Sequence, residues 1–296
     1  MEKVGALPAP DFHKRVADVL REVLDSSTQE PQKKSRRIGL PRRRTQYRRA
    51  IITFIDILGF KNVIQDHNCA EVHHLLDQFR KELAPDEFDS EYLSLRFVRF
   101  SDCLVRAIFV PVDEPNGPDG LVFWELYGLL LAQMNLIWRG VVVRGAITVG
   151  DLYCEPGAIF GPGLVRAYEL EGQALYPRIL VDPNLLKELR TAPFRARDHG
   201  IREELRYIMN LISVDGEVPY LDYFKGITSN KDDDQQLFDF VERHRDLVQK
   251  GLKENKGKSA IIRKYRWMEQ RHREFVRALP DKFVHVCGHK KRDLYV

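Results

Sequence analysis

The sequence of 296 residues has few cysteines and no long apolar stretch. Its four cysteines form no CxxC pair, and in a cytosolic setting we expect them to be reduced. No run of about 18 apolar residues occurs, so we expect no membrane span. The N-terminal stretch MEKVGALPAPDFHKRV lacks the apolar core of a signal peptide. Together these absences predict a cytoplasmic protein.

The net charge is also small, at +4, but it is unevenly distributed along the chain. The segment 33–49, KKSRRIGLPRRRTQYRR, contains nine basic residues. Such a run can bind nucleic acid or anionic lipid, although it is more often a solvated linker. We therefore expect a linker rather than a nucleic-acid site, and we expect no membrane partner.

Hydropathy patterning divides the chain into three parts. Residues 1–49 are predicted to form an amphipathic helix at 10–26 followed by the basic linker. Residues 50–230 alternate strand-like and helix-like segments, which predicts one α+β domain. Residues 231–296 are predicted to be a helical extension, with two long helices packed as a hairpin. A hydrophobic content of 44% is enough for a sizeable core.

Local patterns predict the elements of the central domain. They are a strand at 50–58, a helix at 62–83, a hairpin with its turn at Ser101 and Asp102, an apolar core helix at 121–139, and a strand at 141–153 with a glycine break.

The strand at 50–58 carries one carboxylate, Asp56, inside an apolar run. A lone buried Asp is costly unless something pairs with it, so it is either a hydrogen-bonded structural residue or a metal ligand. A metal site needs a second carboxylate, and Asp102 supplies it if the hairpin lies beside the strand. With the carbonyl of Ile57, the two carboxylates would offer hard oxygen ligands for Mg²⁺ or Mn²⁺. Gly59 and the following helix N-terminus would present N–H groups to a phosphate.

Four motifs in order resemble the class III nucleotidyl cyclase catalytic domain. They are FIDILGF, RFSDCLV, VVVRGAITVG and IFGPGLVRAYELE, and they extend over residues 48–185. Four stretches resemble in particular the pyrimidine cyclases of bacterial Pycsar antiphage systems: ITFIDILGFK, RFSDC, RGAITVG and YELEGQA. The later stretches VDGEVPYLDYF and KYRWMEQRHREF also resemble that branch.

The resemblance implies a ferredoxin-like βαββαβ core that cyclises UTP or CTP to the 3′,5′-cyclic monophosphate and releases pyrophosphate. Of the two substrates we expect UTP. Two Mn²⁺ or Mg²⁺ ions per site are implied, as is a homodimer with shared active sites. The product would act on a separate effector that disables the infected cell. The residues implied at the ions are Asp56, Ile57 and Asp102, and those near the nucleotide are Phe54, Gly59 and Phe60.

The sequence departs from the family at two positions. Class III adenylate cyclases carry an Asn and an Arg that bind ribose and stabilise transition-state charge, and here Val165 and Glu169 stand in their place. Arg144, Arg166 or a basic residue of the partner subunit could replace the missing arginine. Arg144 could instead form a structural ion pair with Glu169 or Glu171.

The family's purine-selecting Lys and Asp have no clear counterpart. Arg96 alternates with Leu95 and Phe97 and shares strand parity with Asp102, so it can face the pocket. It could then donate to the O2 or O4 carbonyl of uracil, or it could be a solvated strand charge. Arg99 takes its place if the strand bulges.

Two further interpretations stay open. A purine cyclase of the same fold would differ only in base specificity. A catalytically silent module that binds a nucleotide or a partner is favoured by the missing Asn and Arg. Retention of both Asp56 and Asp102 argues against the silent module.

Overall fold

The fold is taken from a computed structural model, which describes residues 46–84, 95–110, 120–155, 158–189, 201–215, 218–230, 234–280 and Leu294. The strands are β1 (Arg48–Ile57), β2 (Leu95–Phe100), β3 (Cys103–Phe109), β4 (Val143–Glu155), β5 (Ala158–Phe160), β6 (Ile179–Val181), β7 (Ile212–Asp215) and β8 (Val218–Leu221). The helices are α1 (Phe60–Asp66), α2 (Cys69–Leu83), α3 (Leu121–Trp138), α4 (Pro162–Gln173), α5 (Pro183–Glu188), α6 (Ile201–Met209), α7 (Tyr223–Asn230), α8 (Asp234–Glu254) and α9 (Ser259–Ala278).

The eight strands form one sheet in the order β2–β3–β1–β4–β6–β8–β7, with β5 paired to β4. Strand β1 is antiparallel to β3 and β4, and β2 is antiparallel to β3. Helices connect β1 to β2 and β3 to β4, so this part has the predicted ferredoxin-like βαββαβ arrangement. Strand β6 then extends the sheet by running parallel to β4. The α+β fold is confirmed.

Side-chain alternation along β1 divides the sheet into two faces. Ile51, Ile55 and Ile57 are at most 3% exposed and point into the main core. Ile52 points to the opposite face and packs in a second cluster. Asp56 has the same parity as Ile52 and lies half-buried on this second face.

The main core contains α3, the predicted apolar helix. By length and composition alone α3 could cross a membrane, and 67% of it is buried inside the protein. A helix at the centre of a soluble domain is also apolar on all sides, so this is weak evidence for a membrane span.

A buried polar network joins α3 to the sheet. Glu125 is 3% exposed and accepts hydrogen bonds from Arg106, of which the one from Nε is 3.0 Å long. The Thr53 hydroxyl donates to the same carboxylate over 3.3 Å. Arg106 also donates to the Leu83 carbonyl over 3.1 Å. The network therefore fixes α3 against both β1 and β3.

Helix α4 approaches β4 closely because two glycines meet there. A Cβ on Gly150 would lie 2.5 Å from the Cα of Gly163, and a Cβ on Gly163 would lie 2.3 Å from Ile52 Cδ1. The glycine break expected in the strand at 141–153 is not observed, since β4 continues from Val143 to Glu155. The role of Gly150 is therefore to allow α4 to pack closely on β4, and not to break the strand.

The helix predicted at 62–83 is two helices, α1 and α2. Asn68 caps α2: its side chain accepts from the Glu71 N–H over 3.1 Å, and the Glu71 carboxylate accepts from the Asn68 N–H over 3.0 Å. This reciprocal capping box starts a new helix at Cys69.

The C-terminal part has the two predicted long helices, and α8 and α9 pack against each other. Helix α9 also contacts the second face of the sheet, where Trp267 packs with Ala146 and Leu170. The amphipathic helix predicted at 10–26 lies outside the described residues.

Candidate active site

The end of β1 lies beside the turn of the β2–β3 hairpin. Asp56 is paired with Cys103 across the two strands. Ser101 has a φ of 50°, which closes the tight turn before Asp102. The N–H of Ile57 donates to the Asp102 carbonyl over 3.3 Å. The fold therefore brings Asp102 next to Asp56, as the sequence analysis requires of a metal site.

Three potential metal ligands converge here. One carboxylate oxygen each of Asp56 and Asp102 and the Sγ of Cys103 all lie within 4.8 Å of one another. Burial, and then the charge of Asp102, raises the pKa of Asp56, while Arg144 acts in the opposite direction. The pair concentrates negative charge, which a divalent cation would neutralise.

The chemistry of the donors fits a hard cation. The Cys103 Sγ donates to Asp56 Oδ1 over 3.5 Å. Burial and the two neighbouring carboxylates raise the pKa of this thiol to about 12, so it is protonated near neutral pH. The donors that remain are two carboxylates, and oxygen donors suit Mg²⁺ or Mn²⁺. The sequence analysis did not single out Cys103, although its position next to Asp102 was visible.

Arg144 lies directly across the β1–β4 pair from Asp56. Its Nε is 3.3 Å from Asp56 Oδ2 and 2.6 Å from Glu171 Oε1. Glu171 is 4% exposed on α4, whereas Glu169 on the same helix is exposed to solvent. Of the two partners that the sequence leaves open, Glu171 is the one in contact. Burial raises the pKa of Glu171, and Arg144 opposes this shift.

A second cation, Lys264, reaches the same cluster from α9. Its side chain is half-buried, and its charge interacts with those of Arg144, Asp56 and Glu171. Burial, followed by repulsion from Arg144, lowers the pKa of Lys264. Sequence reasoning missed this residue because the periodicity of α9 does not say which part of the sheet the helix contacts.

Three predicted nucleotide contacts flank Asp56 along the chain. Phe54 is half-buried on the same face, and its ring meets Tyr168 of α4 edge-on, with centroids 5.6 Å apart. Gly59 precedes α1 with a φ of 80°, a conformation that glycine adopts without strain. Phe60 is 8% exposed and packs in the main core, so its ring serves packing.

Arg166 belongs to a different ion pair. Its Nε donates to Asp182 over 3.0 Å, and the Thr148 hydroxyl donates to the same oxygen over 2.7 Å. Burial acts to raise the pKa of Asp182, but the hydrogen bonds from Arg166 and Thr148 outweigh it and lower that pKa. Arg166 lies about 7.5 Å along α4 from Glu171. The structure thus brings Arg144, and not Arg166, to the acid pair.

The two candidates for base recognition lie on the edge strand β2 and are exposed. Arg96 donates to the Leu95 carbonyl over 3.2 Å, and the Arg99 guanidinium lies 5.9 Å from the Phe97 ring centroid. Arg96 pairs with Ala107, which is about 13 Å along the strands from the end nearest the turn. Neither arginine is brought to the acid pair within this chain, and base recognition by Arg96 stays a prediction.

No family model and no curated protein matches the chain. Among solved structures, the guanylyl cyclase Cya2 is 13% identical with a TM-score of 0.36, over 60% of this chain and 92% of that one. A bacterial light-regulated adenylyl cyclase is 12% identical with a TM-score of 0.37, over 66% and 97%. A class III adenylyl cyclase-like ATP-binding protein from Pseudomonas aeruginosa is 12% identical with a TM-score of 0.39, over 85% and 54%. Because these scores lie below 0.5, we infer function from the residues alone.

Proposed function

We propose that this protein is a nucleotidyl cyclase that converts UTP to 3′,5′-cyclic UMP and pyrophosphate. One observation carries the proposal: the carboxylates of Asp56 and Asp102 and the thiol of Cys103 converge within 4.8 Å at one end of a ferredoxin-like sheet. Paired carboxylates of this kind suit divalent cations whose remaining ligands are water and substrate phosphates. The order of the four sequence motifs is the second support.

Asp56 and Asp102, with the carbonyl of Ile57, would hold two Mn²⁺ or Mg²⁺ ions. When bound, the ions would lower the pKa of the ribose 3′-hydroxyl and neutralise the leaving pyrophosphate. The 3′-hydroxyl would release its proton to solvent, and its oxygen would form a bond to the α-phosphorus as the bond from that phosphorus to the oxygen that bridges it to the β-phosphorus breaks, so that this oxygen leaves with the pyrophosphate. By holding the ions, the two carboxylates would orient the 3′-hydroxyl and the leaving pyrophosphate. Gly59 lets the backbone come close to the phosphates.

Arg144 is the cation of this chain that would face the reacting phosphate. In the described state its Nε contacts both Asp56 and Glu171. When Asp56 turns to a cation, Glu171 still orients the guanidinium. Its other N–H groups can then donate to the charge that develops on the α-phosphate oxygens. Glu171 is therefore a positioning residue and Arg144 a catalytic one.

Base recognition involves residues that lie farther from the acid pair than Arg144 does. Phe54 offers an aromatic surface beside Asp56, and Arg96 offers donors that suit the carbonyls of uracil. Cytosine presents an amino group in place of one carbonyl, so donors at that position favour UTP over CTP. Arg166 would contribute positive charge farther along α4.

A homodimer with shared sites is part of the same proposal, and exposed apolar side chains support it. Val165 and Tyr168 on α4 are 56% and 62% exposed. Tyr47 and Phe160 are 52% and 45% exposed and meet edge-on, with centroids 6.0 Å apart. Exposed apolar patches often mark interaction surfaces. A basic residue of the partner subunit would stand in for the arginine that Glu169 replaces.

The biological setting rests on the resemblance of the motifs to the Pycsar pyrimidine cyclases. It supports a cytoplasmic enzyme whose cyclic nucleotide acts as a second messenger in antiphage defence. The product would activate a separate effector.

The test is to incubate the purified protein with each of the four ribonucleoside triphosphates and Mn²⁺ and to separate the products. We expect cyclic UMP, reduced by about a hundredfold or more in Asp56→Ala and in Asp102→Ala. Asp66→Ala, an exposed acid of α1, is the matched control and should keep full activity. A cyclic purine product would contradict the base specificity, and full activity in both site variants would contradict the site.

A catalytically silent nucleotide-binding module is the second candidate. The contact of Arg144 with Asp56 favours it, because an arginine there competes with a cation for the carboxylate. Binding of a nucleotide without any cyclic product, in Mg²⁺ and in Mn²⁺, would support this candidate.

A further inference from the structure

Helix α9 is fixed on the second face of the sheet by a cluster around Trp267. The Trp267 ring stacks on Tyr176, with centroids 5.5 Å apart, and meets Tyr220 edge-on at 5.8 Å. The Arg178 guanidinium lies 5.8 Å from the Trp267 centroid. Such aromatic and cation–π contacts prefer specific geometries, so they define where this part of α9 lies.

This docking directs one side of α9 toward the acid pair. Trp267 packs with Ala146 of β4 and Leu170 of α4. Ala146 is close in sequence to Arg144, and Leu170 is next to Glu171. Residues three or four apart lie on the same side of a helix, so Lys264 shares the side of α9 that carries Trp267.

Lys264 has no direct carboxylate partner among the residues that the structure describes, since no ion pair within 4.0 Å involves it. Its charge nevertheless interacts with those of Asp56, Glu171 and Arg144. The side chain is half-buried. Placing an ammonium group in such surroundings with no carboxylate in direct contact is unfavourable, and an anionic ligand would compensate it. Arg144, by contrast, already contacts two carboxylates.

We propose that Lys264 is a substrate-binding residue whose ammonium group contacts the triphosphate of the nucleotide. The inference rests on the proposed function and assigns to the C-terminal helical extension a part in the active site. Lys264 would complement the charge of the β- and γ-phosphates, and with it that of the leaving pyrophosphate. It would thereby supply, within one chain, part of the positive charge that Glu169 fails to supply.

The experiment measures binding of inorganic tripolyphosphate, in excess Mg²⁺, by calorimetry on the full chain. We expect Lys264→Gln to weaken binding about tenfold and Lys264→Arg to restore it to within about threefold of the wild type, because a full charge facing several phosphate charges is removed and then returned. Lys256→Gln, at an exposed lysine in the turn between α8 and α9, is the matched control and should leave affinity unchanged. Lys264→Met, which keeps the aliphatic packing, replaces Lys264→Gln if that variant fails to fold.

The outcomes separate this inference from the proposed function. Unchanged affinity in Lys264→Gln, even with a lower melting temperature, would show that Lys264 only balances Glu171 and would overturn the inference. A wild type that does not bind tripolyphosphate would overturn it as well. Tripolyphosphate binding that depends on Lys264, in a protein that forms no cyclic nucleotide, would support the inference and contradict the cyclase.

Discussion

Asp56 shows at the residue scale why a buried strand tolerates an acid. Partial burial, and then the neighbouring carboxylate of Asp102, disfavour its charged form, and Arg144 acts in the opposite direction. A cation between the two acids would remove this disadvantage. The chain therefore stores an unfavourable charge arrangement at the place where we propose that metal binds.

The first prediction follows from that arrangement. Mn²⁺ should raise the melting temperature of the wild type, because a ligand that binds the folded state stabilises it by about 2.7 kcal/mol at a hundredfold excess over its dissociation constant. Asp56→Asn and Asp102→Asn should lose this stabilisation, as measured by thermal unfolding in Mn²⁺ and in EDTA. Asp66→Asn is the control that should keep it. Equal stabilisation of all four proteins would exclude the acid pair as the metal site.

At the scale of elements, the position of α3 under the sheet depends on a charge pair as well as on apolar contacts. The side chain of Glu125 is 1% exposed and that of Arg106 is 14% exposed, and their closest approach is 2.9 Å. Thr53 provides a further hydrogen bond from β1. The pair thereby fixes how α3 lies against the strand that carries Asp56.

Glu125→Ala should lower the free energy of unfolding by about 3–5 kcal/mol, because it leaves the Arg106 guanidinium partly buried without its partner. The double variant Glu125→Leu with Arg106→Met should recover much of that loss, since both charges are then absent. Urea unfolding of the single and double variants measures the difference.

A surface pair gives the control for this comparison. Glu242, with a 42% exposed side chain, pairs with Arg245 one turn later on α8, and Glu242→Ala should change stability by less than about 1 kcal/mol. If Glu125→Ala cost no more than Glu242→Ala, the buried pair would not position α3.

At the scale of the whole molecule, a buried chain of hydrogen bonds connects α7, α8, α9 and Leu294 near the C-terminus. His272 Nε2 lies 2.6 Å from the Leu294 carbonyl, which can only accept, so Nε2 carries the hydrogen. The unprotonated His272 Nδ1 then accepts from His244 Nδ1 over 3.1 Å. His244 Nε2 in turn accepts from the Tyr223 hydroxyl over 3.0 Å. Every donor has an acceptor only while both histidines are neutral.

Acid should therefore destabilise the protein through this chain. Burial, and then the charge of His272, lowers the pKa of His244. Burial also lowers the pKa of His272; the hydrogen bond to the Leu294 carbonyl opposes this shift, and the charges of Arg245 and Arg273 add to it. The stability that they contribute is complete above the unfolded pKa of about 6.5 and is lost as the pH falls below it, at up to about 1.4 kcal/mol per pH unit for each histidine.

Urea unfolding at several values between pH 7.5 and 5 checks this expectation. The double variant His244→Phe with His272→Phe should show a flatter dependence on pH. His73→Gln, at an exposed histidine that pairs with Asp77, should retain the wild-type slope. A wild type with constant stability over this range would contradict the assigned tautomers.

Much of the architecture could be predicted from local patterns. The hairpin at Ser101 and Asp102, the apolar helix α3 and the two long C-terminal helices follow from periodicity and turn chemistry. The break at Asn68 was readable in principle, because an Asn followed three residues later by Glu71 is a capping box. Gly150 was not readable, since its reason is the close approach of α4.

The sequence by itself determined most of the local elements and singled out the two acids, Asp56 and Asp102, because alternation, turn propensity and motif order are properties of neighbouring residues. Only the tertiary structure decided which charges meet those acids. Arg144 faces Asp56 across 88 positions of chain, and Glu171, rather than Glu169, completes the contact because it lies on the buried side of α4. Lys264 arrives from another helix altogether. Strand register and helix docking decide which of these charged residues lie close together, and neither can be predicted from a single segment of the sequence.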